Sequence, residues 1–271
     1  MPELPEVETI KNGLSILKGQ SITKLNILST HCLRPNHNRF HSLRGQVVTN
    51  ISRRGKLLII HLSSGNFLIF HLKMTGKLIL ADFQDILDKH THLEFFFKSN
   101  RLFFNDVRKF GFVCLFSKQE LLEWNFWRTL GPEPFKISSI DFAQQISKSK
   151  ANIKSLLLNQ KIIAGIGNIY ADESLFISKI HPLSKANKIP FNILQNLHKN
   201  LIFVLKKAIS LGGSSFKDYV NSLGKRGNFQ DHFFVYSRAG KSCYKCKNTL
   251  KKIKVAGRTT IVCLKCQKRY E

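Results

Sequence analysis

The first nine residues, MPELPEVET, place a proline beside two acids, Glu3 and Glu6. Removal of Met1 is expected when the next residue is small, and it would leave Pro2 with a free secondary amine. An α-amino group has a pKa of about 7.7–8.0, so a sizeable neutral fraction exists at cellular pH. Such an amine can attack a sugar or carbonyl carbon to form an imine-type intermediate, and nearby glutamates can carry protons. A helix start explains the same residues, because proline and acids are favoured in a first turn. Both interpretations stay open on these residues alone.

Two CxxC pairs near the end of the chain have metal-ligand spacing. Cys243 and Cys246 are followed, after sixteen residues, by Cys263 and Cys266. This spacing predicts a tetrahedral Zn²⁺ site with four thiolates, which is closed and therefore structural. Chance pairing of thiols in a lysine-rich segment is the alternative.

Two segments carry chemistry suited to phosphate. Between the CxxC pairs, VAGRTT predicts a hairpin turn that presents Arg258, either to a phosphate or simply to solvent. In AGIGNIYADES, Gly165 and Gly167 precede an apolar helical pattern, and backbone N–H groups at such a helix start bind anions. A tight turn between packed helices explains these glycines equally well. No Gly-Lys-Ser/Thr follows them, so no mononucleotide cofactor is expected.

The charge balance points to a polyanionic partner. The chain of 271 residues has 43 Lys and Arg against 17 Asp and Glu, a formal net charge of +26, yet 43% of its residues are hydrophobic. A basic, globular chain most often binds nucleic acid and less often an anionic membrane surface. No run of 18 apolar residues predicts a membrane span, and charges interrupt any signal-peptide core at the N-terminus. We therefore expect an intracellular protein without a membrane partner.

The secondary-structure elements that must position these residues fall into three regions with different sequence patterns. Apolar residues at helical spacing predict a helix over 4–17, and short β-like runs from SITKLNIL to FGFVCLF predict a sandwich or barrel. Cys32 and Cys114 lie in these runs and are expected to be buried. LGPEP, at 130–134, predicts a domain junction. Beyond it, four segments show helical periodicity, and a cysteine-containing β-like tail ends the chain.

Six motifs in one order carry a family resemblance. PELPEVET, HLKMTGKL, NDVRKFG, LGPEP, GIGNIYADE and the two CxxC pairs closely resemble the formamidopyrimidine-DNA glycosylases, bacterial enzymes that remove 8-oxoguanine and ring-opened purines. The resemblance implies an α+β fold in three parts. These are an N-terminal helix plus antiparallel β-sandwich over 1–131, a helix–two-turns–helix domain over 132–220, and a damage-recognition loop region with a C-terminal zinc-finger β-hairpin over 221–271.

The resemblance also implies catalytic roles for residues at matching positions. Pro2 would be the nucleophile that attacks C1′ of the damaged nucleotide, Glu3 the proton donor and shuttle, and Glu6 a supporting acid. Lys56 would assist β-elimination and Arg258 δ-elimination, because cations neutralise a departing phosphate. The implied activity is a base excision repair glycosylase and AP lyase that works through a proline Schiff base.

Further residues match the family's DNA contacts. Because the target base must be flipped out of the duplex, Met74, Arg108 and Phe110 would form the wedge that fills the gap, although core packing is the ordinary fate of Met and Phe. The contacts implied with phosphate or near the damaged base are His90, Lys150, Asn168 and Lys154. The implied partner is double-stranded DNA with oxidised purines, bound by a monomer in the bacterial cytoplasm near the nucleoid, with one structural Zn²⁺.

Some residues depart from the family pattern. Thr91 stands where an acid is usual, Asn159 stands where Asp is common, and the recognition loop over 213–230 differs in SLGKRGNF. Two alternatives therefore remain. One is the sister glycosylase for oxidised pyrimidines, although PELPE and MTG favour the purine enzyme. The other is a zinc-containing nucleic-acid-binding protein without catalysis.

Overall fold

The chain begins with a helix that packs one apolar stripe against a β-sandwich. In this computed structural model, residues 1–35, 37–215 and 219–271 are described, without the side chain of His37. Helix α1 spans Leu4–Gly13 and continues as a 3₁₀ turn over Leu14–Leu17. The helix predicted over 4–17 therefore ends four residues early as an α-helix, but its apolar positions all face the core: Leu4, Val7, Ile10, Leu14 and Leu17.

Among the described residues, nine strands form the two sheets of the sandwich. The strands are β1 (Lys24–Ile27), β2 (Leu33–Arg34), β3 (Val48–Arg54), β4 (Leu57–Leu62), β5 (Phe67–His71), β6 (Lys77–Ala81), β7 (Thr91–Phe96), β8 (Arg101–Asn105) and β9 (Phe112–Phe116). The four-stranded sheet has the order β1-β7-β8-β6, and the five-stranded sheet has the order β2-β9-β5-β4-β3. The pairs β3-β4, β4-β5 and β5-β9 are antiparallel, as predicted for the sandwich, whereas β2 pairs parallel with β9.

Alternate residues of the facing strands build the core between the sheets. Phe70 of β5 contacts Phe95 of β7 and Phe104 of β8, with ring centroids 6.0 and 5.9 Å apart. Fully buried side chains of this size each contribute about 1.5–3 kcal/mol through removal from water. Cys32 and Cys114 are buried as expected, and burial raises the pKa of both thiols to about 12. They are therefore packing residues.

The helices predicted after LGPEP are present and pack together. They are preceded by two short helices, α2 (Lys118–Glu123) and α3 (Asn125–Arg128), and followed by a two-stranded hairpin. The remaining elements are α4 (Ser139–Ser147), α5 (Ile153–Leu158), α6 (Asn168–Ile177), α7 (Phe191–Ser210), β10 (Lys251–Val255) and β11 (Arg258–Val262). Helix α7 contacts both α4 and α6, and α6 contacts α5 and β11. Among the described residues, no helix has the length and apolar character needed to cross a bilayer.

The contacts divide the described residues into two compact units. The first unit is Met1–Arg128 with Leu211–Asn228, and the second is Thr129–Ser210 with Phe229–Glu271. The domain boundaries expected at 131/132 and 220/221 stay a prediction. Residues after α7 return to the first unit, where the Ser214 amide binds Glu6 and the Leu80 amide binds the Ser222 carbonyl. The C-terminal hairpin joins the helices of the second unit because Ile261 donates to Asp172 of α6.

Candidate active site and metal centre

The acids at the N-terminus form a helix cap and a loop anchor. Glu3 and Glu6 are 3% and 2% exposed. One carboxylate oxygen of Glu6, Oε2, accepts the Glu3 amide at 2.8 Å, which is the N3 half of a capping box. The other, Oε1, accepts the Ser214 amide at 2.8 Å, and the Tyr219 hydroxyl donates to the Glu6 carbonyl at 3.3 Å. The helix-start interpretation therefore holds for Glu6, which also ties the segment after α7 to the first residues of the chain.

Lys56 lies at the turn between β3 and β4. It follows Gly55, whose φ of +57° is in the left-handed region, and it is only 8% exposed. Burial, together with the charges of Lys73 and Lys56, lowers the pKa of His71 to about 3. The neutral His71 accepts the Lys73 amide at Nδ1, 3.0 Å away. The His71 side chain is thus a neutral imidazole close to the charges of Lys56 and Lys73.

The three residues assigned to the wedge lie together on the surface. Met74 is 43% exposed and Phe110 is 52% exposed, so core packing does not explain them. Arg108 joins the two loops that carry them: its Nη1 lies 3.0 Å from the Met74 sulfur, and its guanidinium lies 4.8 Å from the centroid of the Phe110 ring. The sequence separates these side chains by more than thirty residues, and the pairing of β6 with β8 brings their loops together.

A buried carboxylate beneath the wedge was not singled out from the sequence. Asp106 is 1% exposed and accepts hydrogen bonds from the Thr75 hydroxyl and from the amides of Arg108 and Gly111. The motif NDVRKFG could have indicated this role, because an Asp side chain in a loop often accepts the amide two residues further on in an Asx-turn.

The residues matched to phosphate contacts are distributed over both units. In the first unit, His90 is half-buried just before β7, and its carbonyl accepts the Asp106 amide at 3.0 Å. In the second unit, Lys150 is exposed and Asn168 begins α6 after the N-cap residue Gly167. Asn168 donates from Nδ2 to the Thr259 carbonyl at 3.0 Å. The start of α6 therefore lies beside the hairpin, which suits an anion site.

Lys154 occupies a different environment from the one its assignment implies. Its side chain is 0% exposed, and its Nζ lies 2.5 Å from Asp172 Oδ1 and 2.6 Å from the Thr260 hydroxyl. Burial raises the pKa of Asp172 to about 7, although the Lys154 ammonium opposes that rise. A fully buried ammonium with these partners cannot reach a base or phosphate in this conformation. In this structure Lys154 links α5 and α6 to the hairpin, and its assignment to a contact near the damaged base stays a prediction.

Glu173 is a second anchor that sequence reasoning missed. Its carboxylate accepts the amides of Phe234, Val235 and Tyr236 at 2.8, 2.9 and 2.8 Å. Burial raises the pKa of Glu173, and these three hydrogen bonds oppose the rise. The acids of the YADE motif thus have a structural role, because both connect α6 to the segment that carries the cysteines.

The four paired cysteines converge and fit a tetrahedral metal. Their sulfur atoms lie within 4.8 Å of one another, and the Cys243–Cys266 and Cys246–Cys263 pairs are 3.9 and 3.4 Å apart. A zinc ion with Zn–S bonds of about 2.3 Å requires sulfur atoms roughly 3.8 Å apart. The residues present therefore match a closed four-thiolate site.

Arg258 lies at the tip of the hairpin that this cluster supports. Ala256 and Gly257 have φ values of +49° and +71°, as a two-residue turn of type I′ requires. Val255 pairs with Arg258, whose side chain is exposed. The predicted turn is therefore confirmed, and Arg258 is the first residue after it.

Comparison with known proteins identifies the family. Residues 1–113 match the model of the formamidopyrimidine-DNA glycosylase N-terminal domain, and residues 130–220 match that of the H2TH domain. A formamidopyrimidine-DNA glycosylase of Lactococcus lactis subsp. lactis is 40% identical over 274 residues, covering 99% of this chain and 100% of that protein. The chain belongs to the formamidopyrimidine-DNA glycosylase family.

Further relatives agree with this assignment along the whole chain. A formamidopyrimidine-DNA glycosylase of Wolbachia sp. subsp. Brugia malayi is 41% identical, covering 98% of this chain and all of that protein. A crystal structure of a mutant Lactococcus lactis protein with Fapy-dG-containing DNA superposes with a TM-score of 0.93 at 38% identity, covering 99% of this chain and 100% of that one. A complex of the Lactococcus lactis protein with DNA containing an abasic site has a TM-score of 0.91 at 38% identity, covering 98% and 100%.

The family assignment confirms the fold and the identity expected from the motifs. Of the recognition loop, predicted over 213–230, residues 216–218 lie outside the described part of the chain.

Proposed function

We propose that this member of the formamidopyrimidine-DNA glycosylase family excises oxidised purines from double-stranded DNA and then cleaves the resulting abasic site. The observation that carries the proposal is the exposed wedge of Met74, Arg108 and Phe110, two apolar side chains joined by an arginine. A protein that only holds a DNA backbone needs no such group, whereas an enzyme that flips a base must fill the gap. The related Lactococcus lactis structures contain Fapy-dG or abasic-site DNA, which fits purine lesions.

The chemistry would begin at the N-terminus after Met1 is removed. Met1 is 49% exposed, which leaves it accessible to a processing enzyme. The Pro2 nitrogen then bonds to C1′ while the bond from C1′ to the base breaks. The base leaves with the electron pair of that bond and takes up the proton that the Pro2 nitrogen gives up. Glu3 supplies a proton to the sugar ring oxygen as the ring opens, which leaves a charged iminium between Pro2 and C1′. Glu6 keeps the helix start in place through its bonds to Glu3 and Ser214.

The iminium would serve as an electron sink for strand cleavage. Loss of a proton from C2′ expels the 3′-phosphate, and a second proton loss from the sugar expels the 5′-phosphate. Lys56 and Arg258 are assigned to these β- and δ-eliminations, where a cation stabilises the departing phosphate. Water then hydrolyses the imine and restores the Pro2 amine.

Zinc and the remaining cations would serve binding. Zn²⁺ on Cys243, Cys246, Cys263 and Cys266 has a structural role, because all four ligand positions are filled by protein. His90, Lys150 and Asn168 are assigned to phosphates, and each cation that neutralises a phosphate lowers log K by about 0.9 per unit of log[salt]. We propose that the protein acts as a monomer in the bacterial cytoplasm, near the nucleoid.

Borohydride trapping tests the proposal directly. The protein is incubated with duplexes containing 8-oxoguanine opposite C, a ring-opened purine or an oxidised pyrimidine, and adducts are counted after reduction. We expect adducts to form faster on the two purine duplexes than on the pyrimidine duplex. Preferential trapping on the pyrimidine duplex would favour the sister glycosylase, and binding without any adduct would favour a non-catalytic protein.

The position of the adduct can also be mapped, because the chain offers a suitable tryptic peptide. Cleavage after Lys11 releases the N-terminus in a peptide with no other lysine, so an adduct there cannot be on Lys56. A chain with an uncleaved N-terminal extension should give no adduct, and Pro5→Ala is the matched control within the same helix turn. Equal trapping by the extended chain would rule out Pro2 as the nucleophile.

A further inference from the structure

The two loops that carry the wedge adopt a shape that the sequence alone disfavours. Lys73 precedes Met74 with a φ of +49°, and Lys109 lies between Arg108 and Phe110 with a φ of +57°. Both values are in the left-handed region, which non-glycine residues rarely occupy. Such backbone persists only when surrounding contacts determine it.

His71 Nδ1 accepts the Lys73 amide at 3.0 Å, and Asp106 supplies further contacts to both loops from beneath. Its Oδ1 accepts from the Thr75 hydroxyl of the first loop and from the Arg108 amide, 3.2 Å away, of the second. Its Oδ2 accepts the Gly111 amide at 2.6 Å, which closes the second loop behind Phe110. The Thr75 oxygen also accepts the Arg108 amide at 3.2 Å. One carboxylate, 1% exposed, therefore joins both loops.

The approach of Gly111 shows how closely the loop is wrapped around this carboxylate. A β-carbon at that position would lie 2.9 Å from Asp106 Oδ2 and 2.9 Å from the Phe104 ring, so only glycine fits. An amide in place of the carboxylate could not accept on both sides, because its nitrogen would face either the Gly111 amide or the donors at Thr75 and Arg108.

We propose that Asp106 is a positioning residue that, through Thr75, presets the wedge before DNA is bound. This inference rests on the proposed function. A wedge that already has its inserted shape loses less conformational freedom on insertion, so base extrusion is faster. Because Asp106 is 1% exposed and its carboxylate binds the two loops, its effect is confined to the step that requires the wedge.

The test measures how Asp106→Asn acts on two substrates, an 8-oxoguanine and an abasic site placed in the same duplex sequence. Excision of 8-oxoguanine requires extrusion of a base, whereas an abasic site has no base to extrude. In single-turnover assays we expect excision to slow by roughly 10- to 100-fold, the range for misplacement of a positioning group, and abasic-site cleavage to change by less than about threefold. The matched control is Asp231→Asn, which removes the same charge from an exposed position, and it should leave both rates unchanged.

Thr75 provides a second variant in case Asp106→Asn does not fold. Thr75→Val keeps the shape and removes the hydroxyl, so it should reproduce the selective loss, and Thr75→Ser should restore excision. A 2-aminopurine next to the lesion should show slower wedge insertion in Thr75→Val, before any bond is broken.

The outcomes separate this inference from the proposed function. Equal losses on both substrates would show that Asp106 only supports the fold, and unchanged excision in Asp106→Asn and Thr75→Val would refute preorganisation. Either result is compatible with borohydride trapping by the wild-type protein, so the proposed function would still stand. If the wild-type chain gives no borohydride adduct, the proposed function fails, and this inference fails with it.

Discussion

Replacing Lys154 with methionine is expected to destabilise the second unit. The ammonium and the Asp172 carboxylate are both fully buried and lie 2.5 Å apart. Removing one partner of a buried ion pair leaves an uncompensated charge, which typically costs about 3–5 kcal/mol. Burial already raises the pKa of Asp172 to about 7, so without Lys154 the carboxyl would take up a proton near neutral pH. We therefore expect Lys154→Met to lower the free energy of unfolding by about 3 kcal/mol, the lower end of that range.

A double-mutant cycle isolates the interaction. Asp172→Asn alone leaves the ammonium without its counterion, whereas Lys154→Met with Asp172→Asn removes both charges and retains an oxygen for the Ile261 amide. The double variant should therefore lose less free energy of unfolding than the sum of the single variants, with a coupling of at least about 2 kcal/mol. Urea unfolding measures this. Far-UV circular dichroism mainly follows the second unit because most α-helical residues lie there, while fluorescence follows the first, which contains Trp124 and Trp127.

The salt dependence of DNA binding decides between a structural role and a phosphate contact. If Lys154 is structural, Lys154→Met leaves the slope of log K against log[salt] unchanged. The exposed Lys150 is the matched control: Lys150→Met should reduce the slope by about 0.9 and leave stability unchanged. A Lys154→Met protein with wild-type stability and a slope smaller by about 0.9 would refute the reasoning.

Three further predictions concern His71, Cys246 and Glu173. The pKa of His71 is about 3 in the folded protein and 6.5 when unfolded, so its neutral form stabilises the fold above pH 6.5 and that stability is lost as pH falls. Between pH 6.5 and 5 the loss is about 2 kcal/mol, and urea titrations of His71→Gln should show a correspondingly flatter pH dependence. Cys246→Ser should reduce bound zinc in metal analysis and weaken duplex binding; one tightly bound zinc per variant chain would contradict a four-thiolate site. Glu173→Ala should cost several times the roughly 1 kcal/mol of one hydrogen bond, because three buried amides lose their acceptor. Glu173→Gln should lose less in the same denaturation assay, and equal losses would argue against this explanation.

Local patterns in the sequence were sufficient to predict most elements of the fold. Short runs rich in branched and aromatic residues predicted the strands, and helical periodicity predicted α4 to α7. The end of α1 and the parallel pairing of β2 with β9 were not predictable, since they depend on packing against distant segments. The return of residues 211–228 to the first unit was missed for the same reason.

The sequence by itself determined the family, the metal-ligand set and the candidate nucleophile, since these depend on residue types at fixed spacings. In MPELPEVET, the residue types allow Glu6 to be a proton carrier or an acid at a helix start. The contacts of Glu6 with Glu3 and Ser214 show that it caps α1 and anchors the segment after α7. Only the tertiary structure placed Lys154 in the interior, because burial and an ion pair with Asp172 depend on how α5, α6 and the hairpin pack. It alone brought Thr75 to Asp106, because contacts between loops thirty residues apart follow from strand pairing, which no local spacing encodes.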